Sequence, residues 1–308
     1  MSKALLITGA TGRQGGSVID ALLSSPSASD FTILAVTRNP DSPSAKSLAS
    51  RSDLVKIVKG DFNDVQGMFK SAKATHPQPV WGVFSVQVPM GKGATPGTEE
   101  QQGKAIVDEA IAQGVKKFVY TSVDRHGDDS YNNPTDVPHF ISKHNIEHHL
   151  VDKTAGSSMD WTILRPVAFM DNMSPNFFGK MFNTAWKVGL PENCKLQFVS
   201  CHDIGYFAAQ AFIKPEEYSK KAISLAGDDL TFEETNKIFQ EKAGHPLPTT
   251  FGFMGSGLLW GVKEMGIMFK FFKHPGYGAD TKKLREEHPG LLNFGDWLEK
   301  KSKFQLKH

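Results

Sequence analysis

The first half of the chain alternates short apolar runs with amphipathic stretches. Residues 4–8 form the first such run, which ends at glycine, and Val18, Ile19, Leu22 and Leu23 then recur at helical spacing within residues 14–24. Later runs rich in Val, Ile, Phe and Leu predict strands at residues 31–37, 55–59, 80–85, 117–122 and 161–165. Stretches of helical periodicity predict helices at residues 64–74, 98–113 and 141–152.

This order of elements predicts an α/β fold. Apolar strands without polar alternation are typical of a parallel sheet that helices cover on both faces. Right-handed crossovers then give a doubly wound parallel sheet of the Rossmann type over residues 1–168, completed by a segment that returns near residues 200–227. We expect a strand at residues 222–225 to rejoin this sheet. Residues 169–308 predict a smaller, mainly C-terminal α+β lobe for a substrate or a partner.

Composition narrows the class of protein. The 308 residues include 35 Lys and Arg against 33 Asp and Glu, and 39% of them are hydrophobic. A net charge of +2 gives no general attraction to nucleic acid, and the hydrophobic content argues against disorder. Two cysteines are too few for a disulfide framework, and the apolar run at residues 4–7 is too short for a signal peptide. We therefore expect a cytoplasmic globular protein, with the nucleus as the alternative.

A glycine-rich turn follows the first predicted strand and opens the first predicted helix. Gly9, Gly12 and Gly15 recur every three residues, with Thr11, Arg13 and Gln14 between them. Such a turn lets the backbone approach a pyrophosphate, while the helix N-terminus presents free N–H groups to the anion. Glycine-rich turns also occur without ligands, but the strand–turn–helix context favours a dinucleotide site.

The end of the second strand indicates which dinucleotide binds. An Asp or Glu at this place favours the ribose hydroxyl of NAD, but this chain has Arg38, which is followed by Asn39 and Pro40. A guanidinium offers two parallel hydrogen bonds to a 2′-phosphate, and Arg13 is a second candidate cation. The alternative is that Arg38 is only a solvated residue at a strand end. The sequence therefore predicts NADP(H) as the cofactor.

Several motifs together resemble the NmrA-like family of atypical short-chain dehydrogenases/reductases. The resemblance extends to about residue 245 and includes the runs at residues 9–16, 36–40, 60–64, 139–143, 164–167 and 203–205. It implies an NADP(H) site in which Asp61 and Phe62 flank the adenine. It also implies that Ser85 to Gln87 follow the ribose side and that Pro166 to Phe169 approach the nicotinamide.

The candidate catalytic residues depart from the usual short-chain dehydrogenase pattern. Those enzymes pair a Tyr with a Lys four residues later, and this chain has His139 and Lys143 at that spacing, on one helix face. Lys143 is expected to bind the nicotinamide ribose. His139 is a candidate acid, but the ammonium of Lys143 is expected to keep its imidazole neutral, so packing at the helix start is the alternative. Ser122 is a further candidate for orienting a carbonyl, with a satisfied hydroxyl at a strand end as the alternative. Tyr131 is a candidate for a displaced acid, although its spacing from Lys143 does not require this.

Other features give weaker indications. His144 and His148 have the spacing of a metal pair, but no third ligand is evident, so we expect no metal. The Met- and Phe-rich stretch at residues 251–272 predicts the core of the second lobe and an apolar wall for a flat substrate or a partner. Attachment to a membrane surface ranks below these alternatives because positive charges in the stretch are few. We expect neither membrane nor direct nucleic-acid binding.

Two functions remain open at this point. The resemblance implies either a redox sensor that binds NADP(H) with little or no turnover, or an NADPH-dependent oxidoreductase that reduces a quinone-like or conjugated carbonyl compound. The missing Tyr favours the sensor, whereas Lys143 and the apolar second lobe favour the reductase. The sequence places the sensor first by a narrow margin, and whether the protein is an enzyme stays open.

Overall fold

A computed structural model describes residues 2–87 and 95–307 of the chain. Its main feature is a seven-stranded sheet in the order β3-β2-β1-β4-β5-β6-β9. The strands are β1 (Lys3–Ile7), β2 (Phe31–Thr37), β3 (Val55–Lys59), β4 (Val80–Ser85), β5 (Lys117–Thr121), β6 (Asp160–Pro166) and β9 (Lys221–Leu225). The neighbouring pairs from β3 to β6 are parallel. The predicted fold class is confirmed, and so is the return of residues 222–225 to the sheet.

Helices connect these strands, and four of them, at residues 13–23, 65–75, 96–112 and 138–154, lie where the sequence predicts helices. The connecting helices are α1 (Arg13–Leu23), α2 (Pro43–Ala49), α3 (Val65–Thr75), α4 (Pro96–Ala112), α5 (Pro138–Thr154) and α7 (Cys201–Ile213). Ser42, Asp64 and Thr95 cap α2, α3 and α4 by accepting hydrogen bonds from first-turn N–H groups. α7 packs closely on α1 because residue 205 is glycine. A Cβ added at that position would lie 2.4 Å from the carbonyl of Ser17.

The remaining elements contain a smaller sheet. Its strands are β7 (Ala168–Phe169), β8 (Leu196–Val199) and β10 (Asp228–Leu230), in the order β10-β8-β7. The strand pair β7–β8 is parallel and the pair β8–β10 is antiparallel. The helices are α6 (Phe177–Gly189), α8 (Phe232–Ala243), α9 (Gly252–Gly261), α10 (Lys263–Lys273), α11 (Thr281–Glu287) and α12 (Phe294–Lys300).

The chain divides into two compact units. The first comprises residues 1–122, 141–164 and 204–223, and the second comprises residues 123–140, 165–203 and 224–308. The core of the first unit forms around the apolar strands, with Leu6, Leu34 and Val83 fully buried. The core of the second is aromatic and includes Trp186, Phe198 and Phe294. Each unit therefore has its own hydrophobic core.

The apolar stretch at residues 251–272 is only partly core. Phe269, Phe271 and Phe272 on α10 are buried, as expected, but Phe253 and Trp260 on α9 are 73% and 91% exposed. The hydrophobic periodicity could not distinguish the exposed helix α9 from the buried helix α10. Residues 252–261 contain almost no polar side chain that would mark a solvent-facing side. The stretch therefore supplies core side chains from α10, whereas α9 exposes its aromatic side chains.

Candidate functional site

The glycine turn after β1 has a geometry that only small residues allow. Gly9 has φ +59°, and its carbonyl accepts a hydrogen bond from the N–H of Gly12 at 2.8 Å. A Cβ on Gly15 lies 2.4 Å from that same carbonyl oxygen, so even alanine does not fit there. The missing side chain lets the first turn of α1 sit directly against the strand end, which is the backbone approach that a pyrophosphate needs.

The capping residue leaves the N-terminus of α1 without a side-chain cap of its own. Gly12 stands at that position and has no side chain to accept the first N–H groups. Thr11, Gly12 and Arg13 are exposed. The side chain of Gln14 instead points to the sheet, where its Oε1 accepts a hydrogen bond from Thr121 Oγ1 at 2.7 Å. The turn therefore combines a fixed backbone with the N-terminus of a helix, which is an arrangement that binds anions.

Arg38 stands at the end of the neighbouring strand. Ile7 of β1 pairs with Ala35 of β2, so the glycine turn and Arg38 follow their strands at the same edge of the sheet. Arg38 is exposed, and within residues 2–87 and 95–307 no hydrogen bond or ion pair engages its guanidinium.

The loop that presents Arg38 is held by its neighbours. Thr37 Oγ1 accepts from the N–H of Asn39, Asn39 Oδ1 accepts from the N–H of Asp41, and Ser42 Oγ donates to the carbonyl of Asn39. The Arg38 side chain has no part in this network. The loop conformation is thus fixed without using the charge.

The residues expected around the adenosine end follow the next two strands. Asp61 and Phe62 come after β3, where Asp61 accepts from the N–H of Asn63 at 2.8 Å and Phe62 is half-buried. Ser85 ends β4, and its hydroxyl accepts from the Gln87 amide at 2.7 Å. Both Ser85 and Gln87 are buried. These four residues and the glycine turn lie in the first unit.

Lys143 forms a buried ion pair that the sequence did not predict. Its ammonium lies 2.9 Å from Glu99 on α4, and the two side chains are 9% and 0% exposed. Ser142 Oγ donates to the other oxygen of the same carboxylate at 2.6 Å. Lys143 also lies 5.9 Å from the ring centre of Tyr120. The carboxylate therefore fixes the ammonium in one place within the first unit.

His139 lies one turn before Lys143 on α5, in the second unit. Its Nδ1 is 2.5 Å from Oε1 of Glu264 on α10, and the same oxygen accepts the backbone N–H of His139 at 3.2 Å. The expectation that Lys143 keeps the imidazole neutral counted only the charge on the same helix. It was incomplete, because each of the two basic residues has a carboxylate of its own.

The remaining candidate residues are Ser122, Tyr131, Pro166 and Phe169. Ser122 is buried, and its backbone N–H donates to the carbonyl of Leu164 at 2.7 Å. Tyr131 ends a short 3-10 helix and is half-buried. Pro166 is buried, and its carbonyl accepts from the N–H of Asp124 at 3.0 Å, whereas Phe169 in β7 is half-buried.

The loop after β5 is locked by buried charges. The carboxylate of Asp124 accepts from the N–H groups of His126, Gly127 and Gly278. Arg125 is fully buried and donates to three carbonyls within residues 123–133. Burial, together with the nearby carboxylate of Asp124, raises the pKa of Tyr277 well above its usual range.

The histidine pair on α5 and the apolar helices bear on two other kinds of site, a metal site and a membrane span. His144 and His148 lie side by side with ring centres 4.3 Å apart. Across residues 2–87 and 95–307, no group of three His, Cys, Asp or Glu side chains is placed to hold a metal ion. In the same residues no helix has both the length and the apolar character that crossing a membrane requires.

Sequence reasoning missed the two acidic partners. Glu99 lies 43 residues before Ser142, and Glu264 lies 125 residues after His139. For Glu99 the sequence gave only a weak indication of a role in the site. It is an acidic residue in the first turn of a predicted helix, and a carboxylate there is normally explained by the helix dipole. For Glu264 the sequence held no signal, because its position depends on the fold of the second unit.

Comparison with solved structures supports the fold. The triphenylmethane reductase of Citrobacter sp., solved with NADP(H), has a TM-score of 0.71 at 18% identity, covering 97% of this chain and 99% of that chain. NmrA, a negative transcriptional regulator solved with NADP, has a TM-score of 0.70 at 16% identity, covering 98% and 95%. At these identities the likeness concerns the fold alone.

Sequence comparison gives the family. A fungal relative, the NmrA-like family domain-containing oxidoreductase FrzB of Cladobotryum sp., is 27% identical over 305 residues, covering 90% of this chain and 85% of that protein. The model of the NmrA-like family matches residues 1–278. This match includes the glycine turn, Arg38, the His139–Lys143 helix and Glu264, so the resemblance seen in the sequence is confirmed: the chain belongs to the NmrA-like family.

Proposed function

We propose that this protein binds NADP(H) and reduces an apolar, conjugated carbonyl or quinone-like compound. The observation that supports cofactor binding is the glycine-capped N-terminus of α1, which lies at the same sheet edge as the Arg38 guanidinium, a group with no partner among residues 2–87 and 95–307. A pyrophosphate fits the first, and a 2′-phosphate fits the second. The missing Cβ at Gly15 leaves the backbone close enough for this contact.

Each candidate residue then has a definite role toward the cofactor. The glycine turn holds the pyrophosphate and Arg38 the 2′-phosphate, while Lys143, fixed by Glu99, holds the nicotinamide ribose. The remaining contacts are assigned to Asp61 and Phe62 at the adenine, Ser85 to Gln87 along the ribose, and Pro166 to Phe169 toward the nicotinamide. When bound, NADPH supplies a hydride to the acceptor.

Reduction is placed before sensing for two reasons. FrzB, at 27% identity over nearly the whole chain, is named an oxidoreductase. In addition, the residue at the place of the usual Tyr is an imidazole bound to a carboxylate, and this pairing compensates the positive charge of an imidazolium. The sequence alone placed the sensor first, because the Tyr four residues before Lys143 is missing.

A redox sensor is the second candidate. It is favoured by the absence of a Tyr four residues before Lys143, and the regulator NmrA has the same fold. A sensor needs the nucleotide site but no proton donor. The two functions therefore share the residues of the first unit and differ in what His139 does.

One experiment tests both candidates. NADPH consumption is measured against a panel of quinones and α,β-unsaturated ketones, and the affinities for NADPH, NADP⁺, NADH and NAD⁺ are measured by calorimetry. Turnover with a panel member supports the reductase. Tight NADP(H) binding with no turnover on any member supports the sensor. Failure to bind either form of NADP(H), or tighter binding of NAD(H), contradicts the whole assignment.

A further inference from the structure

We propose that α9 docks the protein on an anionic lipid bilayer, with lysines of α6 and α10 binding the lipid headgroups. The aromatic face of α9 is defined by Phe251, Phe253 and Trp260. The three helices belong to the second unit, so the whole surface lies within one compact unit. This interaction goes beyond the proposed reductase function and does not depend on it.

The aromatic face of α9 follows from helical spacing. Phe253 and Trp260 are seven residues apart, which is about two helical turns, so they project from the same side of the helix. Phe251 directly precedes α9, and its ring stacks on that of Phe253 with 5.7 Å between centres. The three residues are 71%, 73% and 91% exposed. Large aromatic side chains that cluster on a surface in this way mark an interaction site.

The other side of α9 is held by its neighbours. The N–H of Thr250 donates to Thr184 Oγ1 on α6 at 2.8 Å, and a Cβ added to Gly255 would lie 2.9 Å from the Thr184 side chain. A Cβ added to Gly266 on α10 would lie 2.7 Å from the carbonyl of Leu259. Gly255 and the aromatic face are on opposite sides of α9. Packing within the second unit therefore fixes the helix with its aromatic face turned outward.

The charges next to α9 are almost all positive. α9 itself has no charged residue, and its two neighbours contribute five lysines: Lys180, Lys187, Lys263, Lys270 and Lys273. The one acidic residue of the three helices is Glu264, which accepts the backbone N–H of His139. In the part of the chain that the structure describes, no ion pair engages any of these lysines. The aromatic face is therefore flanked by two helices whose net charge is positive.

The fold brings more positive charge to this surface than the sequence indicates. Positive charges are few within residues 251–272, so the sequence predicts no membrane binding. The structure places α6, from a distant part of the chain, directly against α9. Its Lys180 and Lys187 thus join those of α10. Lys263 and Lys270 are exposed and seven residues apart, so they share one side of α10.

An anionic bilayer fits this surface better than a second copy of the chain or a partner protein. In a twofold dimer the same surface meets itself, so lysines would face lysines. Lysine is depleted in protein–protein interfaces, whereas each lysine near an anionic membrane surface strengthens binding. With 10 residues, α9 is too short to cross the hydrocarbon core, but an interfacial helix needs only one apolar side. Trp suits that depth because its ring is apolar and its N–H reaches water.

The test is binding of the full chain to vesicles of phosphatidylcholine alone and to mixed vesicles of phosphatidylcholine and phosphatidylserine. We expect the wild type to sediment with the mixed vesicles, to bind phosphatidylcholine much more weakly, and to be released at high salt. Lys263→Gln/Lys270→Gln lowers the partition coefficient on mixed vesicles at least about tenfold, because two charges are lost. Lys282→Gln/Lys283→Gln is the matched control, since these lysines are exposed on α11 of the same unit, and it binds like the wild type.

The apolar contribution is tested by Phe253→Ser/Trp260→Ser. This variant also loses at least about tenfold in partition, and it keeps the wild-type melting temperature because both side chains are exposed. Wild-type partition in this variant, or an equal loss in the Lys282 and Lys283 control, overturns the proposal. So does a wild type that binds no mixed vesicles. A dimer in sedimentation velocity that Phe253→Ser/Trp260→Ser abolishes, without vesicle binding, shows a second copy as the occupant and overturns it too.

A second measurement reports whether Trp260 enters the bilayer. Brominated phosphatidylcholine in the mixed vesicles quenches tryptophan fluorescence at short range. The other four tryptophans are buried or half-buried, so we expect quenching in the wild type and its loss in Trp260→Phe. Trp260→Phe keeps an aromatic side chain and still binds the vesicles. Equal quenching in both proteins shows that another part of the chain meets the bilayer, which overturns the docking by α9.

Discussion

The ion pair of Lys143 and Glu99 allows a prediction that separates binding from stability. Replacing Lys143 by Met removes the cation from a carboxylate whose side chain is 0% exposed. At 2.9 Å and an effective dielectric constant of about 20, the attraction is about 6 kcal/mol before desolvation is subtracted. Removing one partner of such a buried pair destabilises a protein by about 3–5 kcal/mol, and we expect that loss in Lys143→Met.

The second variant shows whether this reasoning is correct. In Glu99→Gln/Lys143→Met the buried charge is absent, and Ser142 can still donate to the amide oxygen. We therefore expect the double variant to recover most of the lost stability in urea unfolding. The control is Lys104→Met: Lys104 pairs with Glu100 on the same helix at 2.6 Å, but these side chains are 36% and 28% exposed. Such a pair contributes less than about 1 kcal/mol.

Nucleotide affinity is measured on the same proteins. If Lys143 binds the ribose, Lys143→Met and the double variant both lose about 1.5–3 kcal/mol of NADPH binding, which is about ten- to a hundredfold in Kd. Recovered stability with affinity still low supports both roles of Lys143. A double variant as unstable as Lys143→Met refutes the charge argument, and NADPH affinity unchanged in both variants refutes the ribose contact.

Variants of Arg38, Gly15 and Tyr277 test three other parts of the structure. Arg38→Ala is expected to weaken NADP(H) binding by about 1.5–3 kcal/mol and to leave NAD(H) binding nearly unchanged. Calorimetry at two salt concentrations measures both affinities. Equal losses for the two nucleotides contradict the 2′-phosphate contact. Gly15→Ala abolishes NADPH binding because its Cβ meets backbone at 2.4 Å, whereas Gly16→Ala, whose nearest contact is 3.5 Å, binds normally. The pKa of Tyr277 is raised in the folded state, so its contribution to stability is complete below about pH 10 and falls at higher pH, where the phenol ionises in the unfolded chain. Tyr277→Phe is expected to reduce this alkaline loss of stability in urea unfolding measured across pH. An unchanged loss contradicts the raised pKa of Tyr277.

The first unit could be predicted almost residue by residue. The strands at residues 31–37, 55–59 and 80–85 have the predicted bounds, because apolar residues dominate each run and turn or helix signals follow it. Helix α5 starts three residues earlier than expected, at Pro138, a residue that suits the first helical position. Local pattern sufficed because the sheet is built from consecutive strand–helix units.

The candidate site could be predicted only where its residues belong to local motifs. The glycine turn and Arg38 follow their own strands, so their place at one sheet edge follows from the topology. The partners of Lys143 and His139 come from α4 and α10, and no periodic pattern records such distant contacts. The carboxylate that faces His139 and the exposure of α9 both depend on the fold of the second unit, so the sequence could not supply them.

The loop from Thr37 to Ser42 has a consequence for how cofactor preference can change. Its hydrogen bonds use the side chains of Thr37, Asn39 and Ser42, and none uses residue 38. The fold of the loop thus places little constraint on residue 38. This is the residue that we propose distinguishes NADP(H) from NAD(H). A substitution at residue 38 leaves these loop hydrogen bonds intact. Cofactor choice in this fold is in that sense an evolvable trait, separable from the architecture that supports it.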